Sequence, residues 1–533
     1  MRHFTILSFL FQFVISYNSY AQITFQKAYR VSGNNIGYEV KQTLDGGYVV
    51  AGEMAYSTGG ISGASILKLD AIGDTMWSKV YGNVGQAGDF FSIMQIMDGS
   101  YLACGRISDS SGYYSNVLIK TDSNGNLLWI KSYSGVGLGL GYESFNILRQ
   151  TSDNGYMLAG HNSISNLVLL KTDSSGVPIF CKTYSTPDPI DPGRIYAEQI
   201  NNGGFVLVST VRDIVLNQND IYAIKTDSLG NQIWSKKYGG PNEDFGMSIQ
   251  QTPDDNFVIL GHTFSFGAGL RDIYLIKVDS QGDVLWSKTY GNSRNQFAIS
   301  LLQTNSNELI LYGVTDSSNS VVPVSDISFY IKTDMNGDTL WTRTFDDNSF
   351  FNISAQNIAS TSDNGFVMTQ STQLLGTWRS ISLMKFDSLG NSVNCYQKNI
   401  GTLIGNPTTI SDTTGTTIST TATFVTANIT TNSISPNIYV LCNTTGLPES
   451  ENTNLMIKPN PFTNTLSINF DVKGSKEILI NVVNVLGQAV YTEKVINPET
   501  NSILLDLAFL ESGVYWIEID ADGSRNVQKI VKQ

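Results

Sequence analysis

The chain has 533 residues, 41% apolar and only 15% charged, with 25 Tyr, 25 Phe and 48 Gly, a balance that supports a large aromatic core of the kind found in extracellular all-β proteins. Its formal net charge of −13 excludes a nucleic-acid binder, because no Lys/Arg stripe could offset phosphate repulsion. None of the four cysteines, Cys104, Cys181, Cys395 and Cys442, stands in a Cys-x-x-Cys spacing, which argues against a zinc site.

Residues 1–21 have the form of a secretory signal: Arg2 and His3, an apolar run from Phe4 to Ile15, and small residues at Ser19-Tyr20-Ala21. The run is too short to span a bilayer, and no later stretch approaches roughly 20 apolar residues. A mature chain starting near Gln22, without a transmembrane segment, is expected. Export permits a disulfide. Cys395–Cys442 would bracket a Thr-rich segment, and closing that loop would stabilise by about 4 kcal/mol. Cys104 and Cys181 fall in apolar strand patterns and are expected as buried thiols.

From residue 68 a Lys-x-Asp-x-x-Gly pattern recurs at 68–73, 120–125, 171–176, 225–230, 277–282, 332–337 and 385–390. The seven starts lie 52, 51, 54, 52, 55 and 53 residues apart, the mark of a repeat array. In the fifth repeat, short β-rich runs at 245–251, 257–261, 272–278 and 284–290 are separated by Gly, Asp and Asn turns. That is a four-stranded antiparallel meander, strands A to D. In the Asp-x-x-Gly turn, Asp accepts backbone N–H bonds and Gly supplies a positive φ. A calcium loop is the sharper alternative for 122–126, but the further acidic ligands and the distal Glu are missing. The A–B turn recurs as Asp45-Gly46-Gly47, Asp98-Gly99, Asp153-Asn154-Gly155, Asn202-Gly203-Gly204 and Asp363-Asn364-Gly365.

Strand D carries Trp77, Trp129, Trp234, Trp286 and Trp341, with Phe180 in the same slot of the third repeat. Lys or Arg follows two positions later and Tyr or Phe four later, so all three share one strand face. Such a set locks one sheet onto its neighbour. Seven sheets of this kind predict a seven-bladed β-propeller. Phe25-Gln26-Lys27-Ala28-Tyr29 matches the strand-D pattern ahead of the first A strand, whereas Asn394 replaces Trp after the seventh copy. The N-terminal strand is therefore expected to complete the last blade, made otherwise of residues 349–387, and to remove the edges of an open array. The Asp-x-x-Gly-x-x-x-Trp pattern resembles the docking repeat of quinoprotein-type propellers. The whole unit, as in residues 224–239, is similar to repeats of secreted Bacteroidetes propellers of undefined role, over residues 24–400. That resemblance implies the fold and is silent about a ligand.

The predicted divisions are a signal peptide (1–21), the propeller (22–400), a Thr-rich linker or accessory β segment (401–450) and a C-terminal Ig-like β-sandwich (451–533) of about seven short strands. In the last of these, Lys458-Pro-Asn-Pro461, Asn484-Val-Leu-Gly-Gln488, 510–515 and the terminal 529–533 stand in order. They resemble the type A C-terminal sorting domain of the type IX secretion system. The resemblance implies handling by that machinery, passage across the outer membrane, and then release or attachment at the cell surface.

Chemistry is sparse. His161 and His262 each follow the Gly that closes strand B, and Glu53, Arg106, Thr210 and Val314 hold equivalent slots. These are read as polar strand ends. Asp89, Glu143, Glu243 and Asp244 precede strand A in several blades and are read as loop acids, with a paired-carboxylate site as the alternative. No nucleophile elbow, phosphate loop or His-Glu-x-x-His occurs, so no catalytic, cofactor or metal residues are assigned. The B–C connections (55–63, 107–115, 211–219, 263–271, 315–327 and 372–379) vary while the opposite turns do not, so recognition is expected on the B–C/D–A face. Tyr113, Tyr114, Phe264, Phe266 and Trp378 lie there, either packed in their own loops or offered to a sugar or peptide. The favoured function is a non-enzymatic surface module binding a glycan or a protein. The alternative is an extracellular polymer hydrolase or lyase using carboxylates at the channel mouth, and a purely structural spacer is a third reading.

Overall fold

A computed structural model describes residues 23–532 except 32, 56–60, 84, 136–143, 163–165, 186–189, 214–216, 317–325, 346–350, 374–377, 393–396 and, beyond 398, most of the connections between the strands named below. The expected signal, residues 1–21, and Cys395 lie outside the described residues. Two compact units emerge, Ile23–Thr444 and Thr445–Gln533.

The first unit is a seven-bladed β-propeller. Blade 1 runs Asn35–Gln42, Tyr48–Ala55, Ser62–Leu69, Thr75–Tyr81, and five more four-stranded antiparallel blades follow in chain order. The seventh takes strands A to C from Phe351–Ser360, Phe366–Gln373 and Ser380–Phe386, and strand D from Phe25–Arg30. Phe25 sits opposite Lys385 and Tyr29 opposite Ile381, so the N-terminal strand closes the ring as its sequence predicts. Phe25, Tyr29, Val367 and Leu383 share one buried core with Val40, Val50 and Leu67 of blade 1.

The strand-D motif has three separate jobs at the next blade's Asp-x-x-Gly turn. The aromatic ring covers the glycine: a Cβ on Gly125 would lie 2.7 Å from Trp77, and one on Gly73 2.8 Å from Phe25. The tyrosine donates to the glycine carbonyl, from Tyr29 to Gly73 (2.6 Å), Tyr81 to Gly125 (2.8 Å) and Tyr290 to Gly337 (2.6 Å). The lysine reaches the residue after the glycine, as Lys27–Asp74 (2.7 Å), Lys236–Asp283 (2.6 Å) and Lys288–Asp338 (2.5 Å). Within the turn, Asp122 Oδ1 accepts the amides of Asn124 (2.9 Å) and Asn126 (2.7 Å), so that oxygen serves the turn itself. Gly125 at φ 73° combines left-handed backbone with ring contact. Gly125→Ala is expected to destabilise by about 1–3 kcal/mol, read as a lower urea midpoint.

The lysine that opens each repeat motif folds back to the A–B turn of its own blade. Lys68–Asp45 (2.8 Å), Lys171–Asp153 (2.9 Å) and Lys385–Asp363 (2.8 Å) are examples in which the lysine is buried. Blade 4 has Asn202 in place of the acid, and Lys225 instead donates to Ser280 O of the next blade at 2.8 Å.

Beyond strand C of blade 7 the chain doubles back around the ring. Gln397–Lys398, Leu403–Gly405, Ile410–Thr413, Thr416–Thr420, Ala422–Thr426, Thr431–Ser433 and Asn437–Cys442 pair antiparallel with strand D of blades 6, 5, 4, 3, 2, 1 and 7 in turn. Each blade thus has a fifth, outermost strand. Thr-rich β-branched sequence suits such an edge, and the pairing covers hydrogen-bonding groups that strand D would otherwise expose. The seventh strand D is supplied by residues 25–30, and Asn394, which stands in place of Trp in the sequence, lies outside the described residues.

The second unit packs a three-stranded sheet (Met456–Lys458, Thr465–Asn469, Ser502–Asp506) and a four-stranded one (Ala489–Ile496, Glu477–Asn484, Gly513–Ala521, Ser524–Lys532). Leu466, Ile468, Ile480, Val482, Leu505 and Ile517 fill the core of this β-sandwich. Lys532 donates to Thr463 O and lies over the Phe462 ring at 5.5 Å, which ties the last strand to the segment after Lys458-Pro-Asn-Pro461.

Candidate functional site

All seven A strands, which line the ring axis, carry a register shift at the same height. It falls between Gly37 and Glu39 in blade 1, Phe90 and Ser92 in blade 2, Gly246 and Ser248 in blade 5, and Ala298 and Ser300 in blade 6. Blades 3, 4 and 7 shift at the equivalent place. A bulge leaves one residue unpaired and re-aims it. Tyr38, Phe91, Asn146, Met247 and Ile299, the extra residues of five blades, line an axial cavity of about 220 Å³ together with Ile195 and Asn357, so all seven blades contribute. Simple alternation along strand A misassigns these side chains, since the bulge breaks period two. The one local hint is the extra residue between the glycine or aromatic at its start and the polar residue after it.

Next along the axis is a polar chain. Glu39, 4% exposed, accepts from Arg149 (3.1 Å), from Ser92 Oγ (2.5 Å) and from the Ile93 amide (2.8 Å), and pairs with Lys41 (3.2 Å). Burial alone would raise its pKa, but Lys41 and Arg149 with those donors outweigh it and hold the carboxyl below its ordinary value. Arg149 lies over the Tyr196 ring at 5.5 Å. The chain also stitches blade to blade. The Leu148 amide donates to Ser92 Oγ (3.1 Å), the Gln251 amide to Glu198 Oε1 (2.5 Å), and the Gln303 amide to Gln250 Oε1 (2.9 Å). Lys41, Arg149, Tyr196, Gln250, Asn305 and Asn357 line a second axial cavity of about 390 Å³ at the A–B end, bordered by exposed Ser360 and Ser362.

Glu198 in this chain is pushed up to about 7 by burial, which the Gln251 amide and Arg149 offset only in part. Its unfolded value is about 4.3, so the fold favours the neutral acid. That contribution is intact below about pH 4 and is lost progressively as pH rises to about 7. Glu198→Gln keeps the acceptor and removes the ionisation. The variant is expected to match the native chain at pH 4 and to exceed its stability by about 2–3 kcal/mol at pH 8, measured by urea unfolding.

At the opposite, loop-face mouth, the structure brings together residues of blades 1, 2 and 7 that the sequence shows only as isolated slots. Asp89 pairs with Arg106 (2.8 Å), and Arg106 lies over Tyr114 (4.5 Å) and Phe91 (5.5 Å). Glu53 is raised well above a normal carboxyl by burial and by its charge and hydrogen-bond coupling to Asp89, against a weaker pull from Arg106 and Arg379. Tyr38 stands edge-on to Phe91 at 4.9 Å. The other sequence candidates serve the scaffold. His262 is buried and stacks on Phe245 at 4.9 Å, and His161 is buried in the equivalent position of blade 3. Thr210 Oγ1 accepts the Gly246 amide (3.0 Å), and Val314 belongs to the core of blades 6 and 7. Asp244 is fully buried and accepts from the Gly240 amide and Ser265 Oγ, both at 2.8 Å. Glu243 accepts from Asn219 at 3.1 Å, and Glu143 lies outside the described residues. Phe266 packs on Tyr274 (5.6 Å), Phe264 lies under Arg271 (4.3 Å), and Tyr113 and Trp378 are exposed at 60% and 42%. Cys104 and Cys181 are buried. Among the described residues no group of His, Cys, Asp and Glu is placed to hold a metal ion, and no helix is long and apolar enough to cross a membrane.

Residues 456–533 match the secretion system C-terminal sorting domain family. The C-terminal unit is a type IX sorting tail, so the protein is handled by that machinery and is secreted or held at the cell surface. No curated protein sequence matches the chain. Among solved structures, an engineered GH43 glycoside hydrolase with endo-xylanase and exo-arabinofuranosidase activity is 9% identical, covering 74% of this chain and 99% of its own, with a TM-score of 0.25. A tetra-tandem repeat from the extending region of a large adhesion protein is 11% identical, covering 86% of this chain and 94% of its own, with a TM-score of 0.11. Neither likeness carries an argument about this chain.

Proposed function

We propose that this type IX-exported propeller is a non-enzymatic binding module for a glycan or protein at the cell surface, with the axial channel and its loop-face mouth as the ligand seat. The observation that carries it is the axial cavity to which all seven blades contribute, where the rings of Tyr38, Phe91 and Tyr196, the amides of Asn146 and Asn357 and the Glu39–Arg149 pair stand among Ile147, Ile195, Met247 and Ile299. The full chain, screened on glycan arrays and in surface pull-downs, is expected to retain a ligand. Tyr38→Ala is expected to weaken retention about tenfold with unchanged circular dichroism. Turnover of a polymer, or no ligand across broad panels, overturns the reading.

A second reading, polymer hydrolysis or lysis, is favoured by one observation, the Glu53 carboxyl beside Asp89, raised well above its ordinary value by burial and by the Asp89 charge. Asp89 is already committed to Arg106 at 2.8 Å, whereas two-carboxyl glycosidases keep the pair roughly 5–9.5 Å apart with room for substrate or water between them. The pair therefore suits proton storage better than acid and nucleophile roles. Turnover abolished by Glu53→Gln would establish this second reading.

A further inference from the structure

The geometry points to the A–B mouth of the channel as a site for an acidic saccharide, its carboxylate or sulfate lying between Lys41 and Arg149 and its hydroxyls on the surrounding amides. This inference rests on the binding-module reading and adds a site at the end of the channel opposite the loop-face mouth. In a protein of net charge −13, the cavity of about 390 Å³ brings two cations, Lys41 and Arg149, to one side of the axis. Their side chains remain 32% and 20% exposed, whereas Glu39 between them is 4% exposed and already accepts from Ser92 and the Ile93 amide. The carboxylate is enclosed and the cations are presented. Two cations facing one ionised carboxylate leave an excess positive charge for an incoming anion.

The rest of the lining sets amides and hydroxyls beside the apolar Leu301, Leu302, Ile358 and Ala359, a mixture that suits the two faces of a sugar ring. Gln250, Asn305, Asn357, Ser360 and Ser362 offer planar amides and hydroxyls, and Tyr196 supplies one aromatic face, itself beneath Arg149. Asn357 Oδ1 is buried with no hydrogen-bond partner among the described residues. A buried acceptor left unmatched costs free energy, and a ligand hydroxyl is the donor that would relieve it. The ionisable groups lining this space are Lys41, Arg149 and Tyr196, with the carboxyls of Glu39 and Glu198 next to Arg149. Of these Glu198 changes charge near neutrality, being pushed up to about 7 by burial. Its ionisation places a negative charge beside Arg149, so anion affinity is expected to fall between about pH 6 and 8.

The test uses calorimetry on the full chain with four probes: oligogalacturonate, its carboxyl-reduced neutral form, a chondroitin sulfate oligosaccharide, and a peptide with a free C-terminal carboxylate. The expected result is that the acidic saccharides bind at least about tenfold more tightly than the neutral form, that added salt weakens them, and that Lys41→Gln removes about tenfold of their affinity. The galacturonate and sulfate arms separate the two anion sources. In Glu198→Gln the fall in affinity across neutral pH is expected to disappear, a readout that a merely structural role for the channel would not move. Equal affinity for acidic and neutral saccharides, with Lys41→Gln silent, overturns the acidic-ligand inference and leaves the binding-module reading standing. Preference for the peptide overturns the saccharide assignment. Binding of no probe, with broad screens also empty, overturns both.

Discussion

Deleting residues 23–30 is expected to abolish cooperative folding of the propeller and drive the chain into aggregates. This short strand contributes at three places. It supplies the fourth strand of blade 7, docks that blade on Gly73 and Asp74 of blade 1, and seats the returning strand Asn437–Cys442. Phe25 and Tyr29 are 4% and 0% exposed, and truncating the two would alone cost about 6–10 kcal/mol, comparable with the whole stability of a typical domain. The ring would also open at one seam, leaving strand edges that pair with other chains. Static light scattering and urea unfolding of the deletion measure both effects. A synthetic peptide of residues 23–31 added during refolding is expected to restore a monodisperse species, because the seat between Ser380–Phe386 and Asn437–Cys442 is complete without the covalent link. A deletion variant with native unfolding would refute the closure argument.

Trp234→Ala is expected to cost about 3–5 kcal/mol. The indole is 8% exposed, stands edge-on to Phe257 at 6.2 Å, donates to Ser280 O at 3.2 Å and lies over Gly282. Alanine would leave a void at the blade 4–5 junction and remove one of the two donors to Ser280 O, the other being Lys225 Nζ at 2.8 Å. Trp234→Phe is expected to recover most of that loss, since Phe180 and Phe25 hold the same slot at two other junctions, where Phe180 stands edge-on to Phe205 at 6.2 Å and Phe25 to Tyr48 at 5.5 Å. Urea unfolding followed by far-ultraviolet circular dichroism separates the three proteins. An alanine variant within about 1 kcal/mol of native would mean that the docking set is held by Lys236 and Tyr238 and that the indole is dispensable.

The propeller is legible in the sequence because its docking chemistry is local and repeated. Trp77, Lys79 and Tyr81 share a strand face by alternation alone, and each has its target at a fixed distance in the next repeat. The channel is legible only in pieces. Asp89, Arg106 and Glu53 are visible as slots, but their meeting depends on the curvature that brings strand ends of neighbouring blades together. Glu39, Lys41 and Arg149 are not legible as an axial set because a bulge in each A strand shifts the pattern, as after Tyr38 and Phe91. The returning strands are legible only as one of two options, a linker or an accessory β segment, for a different reason. Two to six residues, mostly in Thr-rich sequence, carry too little periodicity to declare a strand until a partner edge is present.

The sequence by itself determined the repeat, the blade number, the closing strand and the sorting tail, because each rests on contacts between residues at fixed spacing or on an ordered set of motifs. Only the tertiary structure decided what faces the axis, which charges pair there, and where the residues after 396 run. Those outcomes depend on seven separate strands converging on one line, and no segment of the chain encodes that geometry alone.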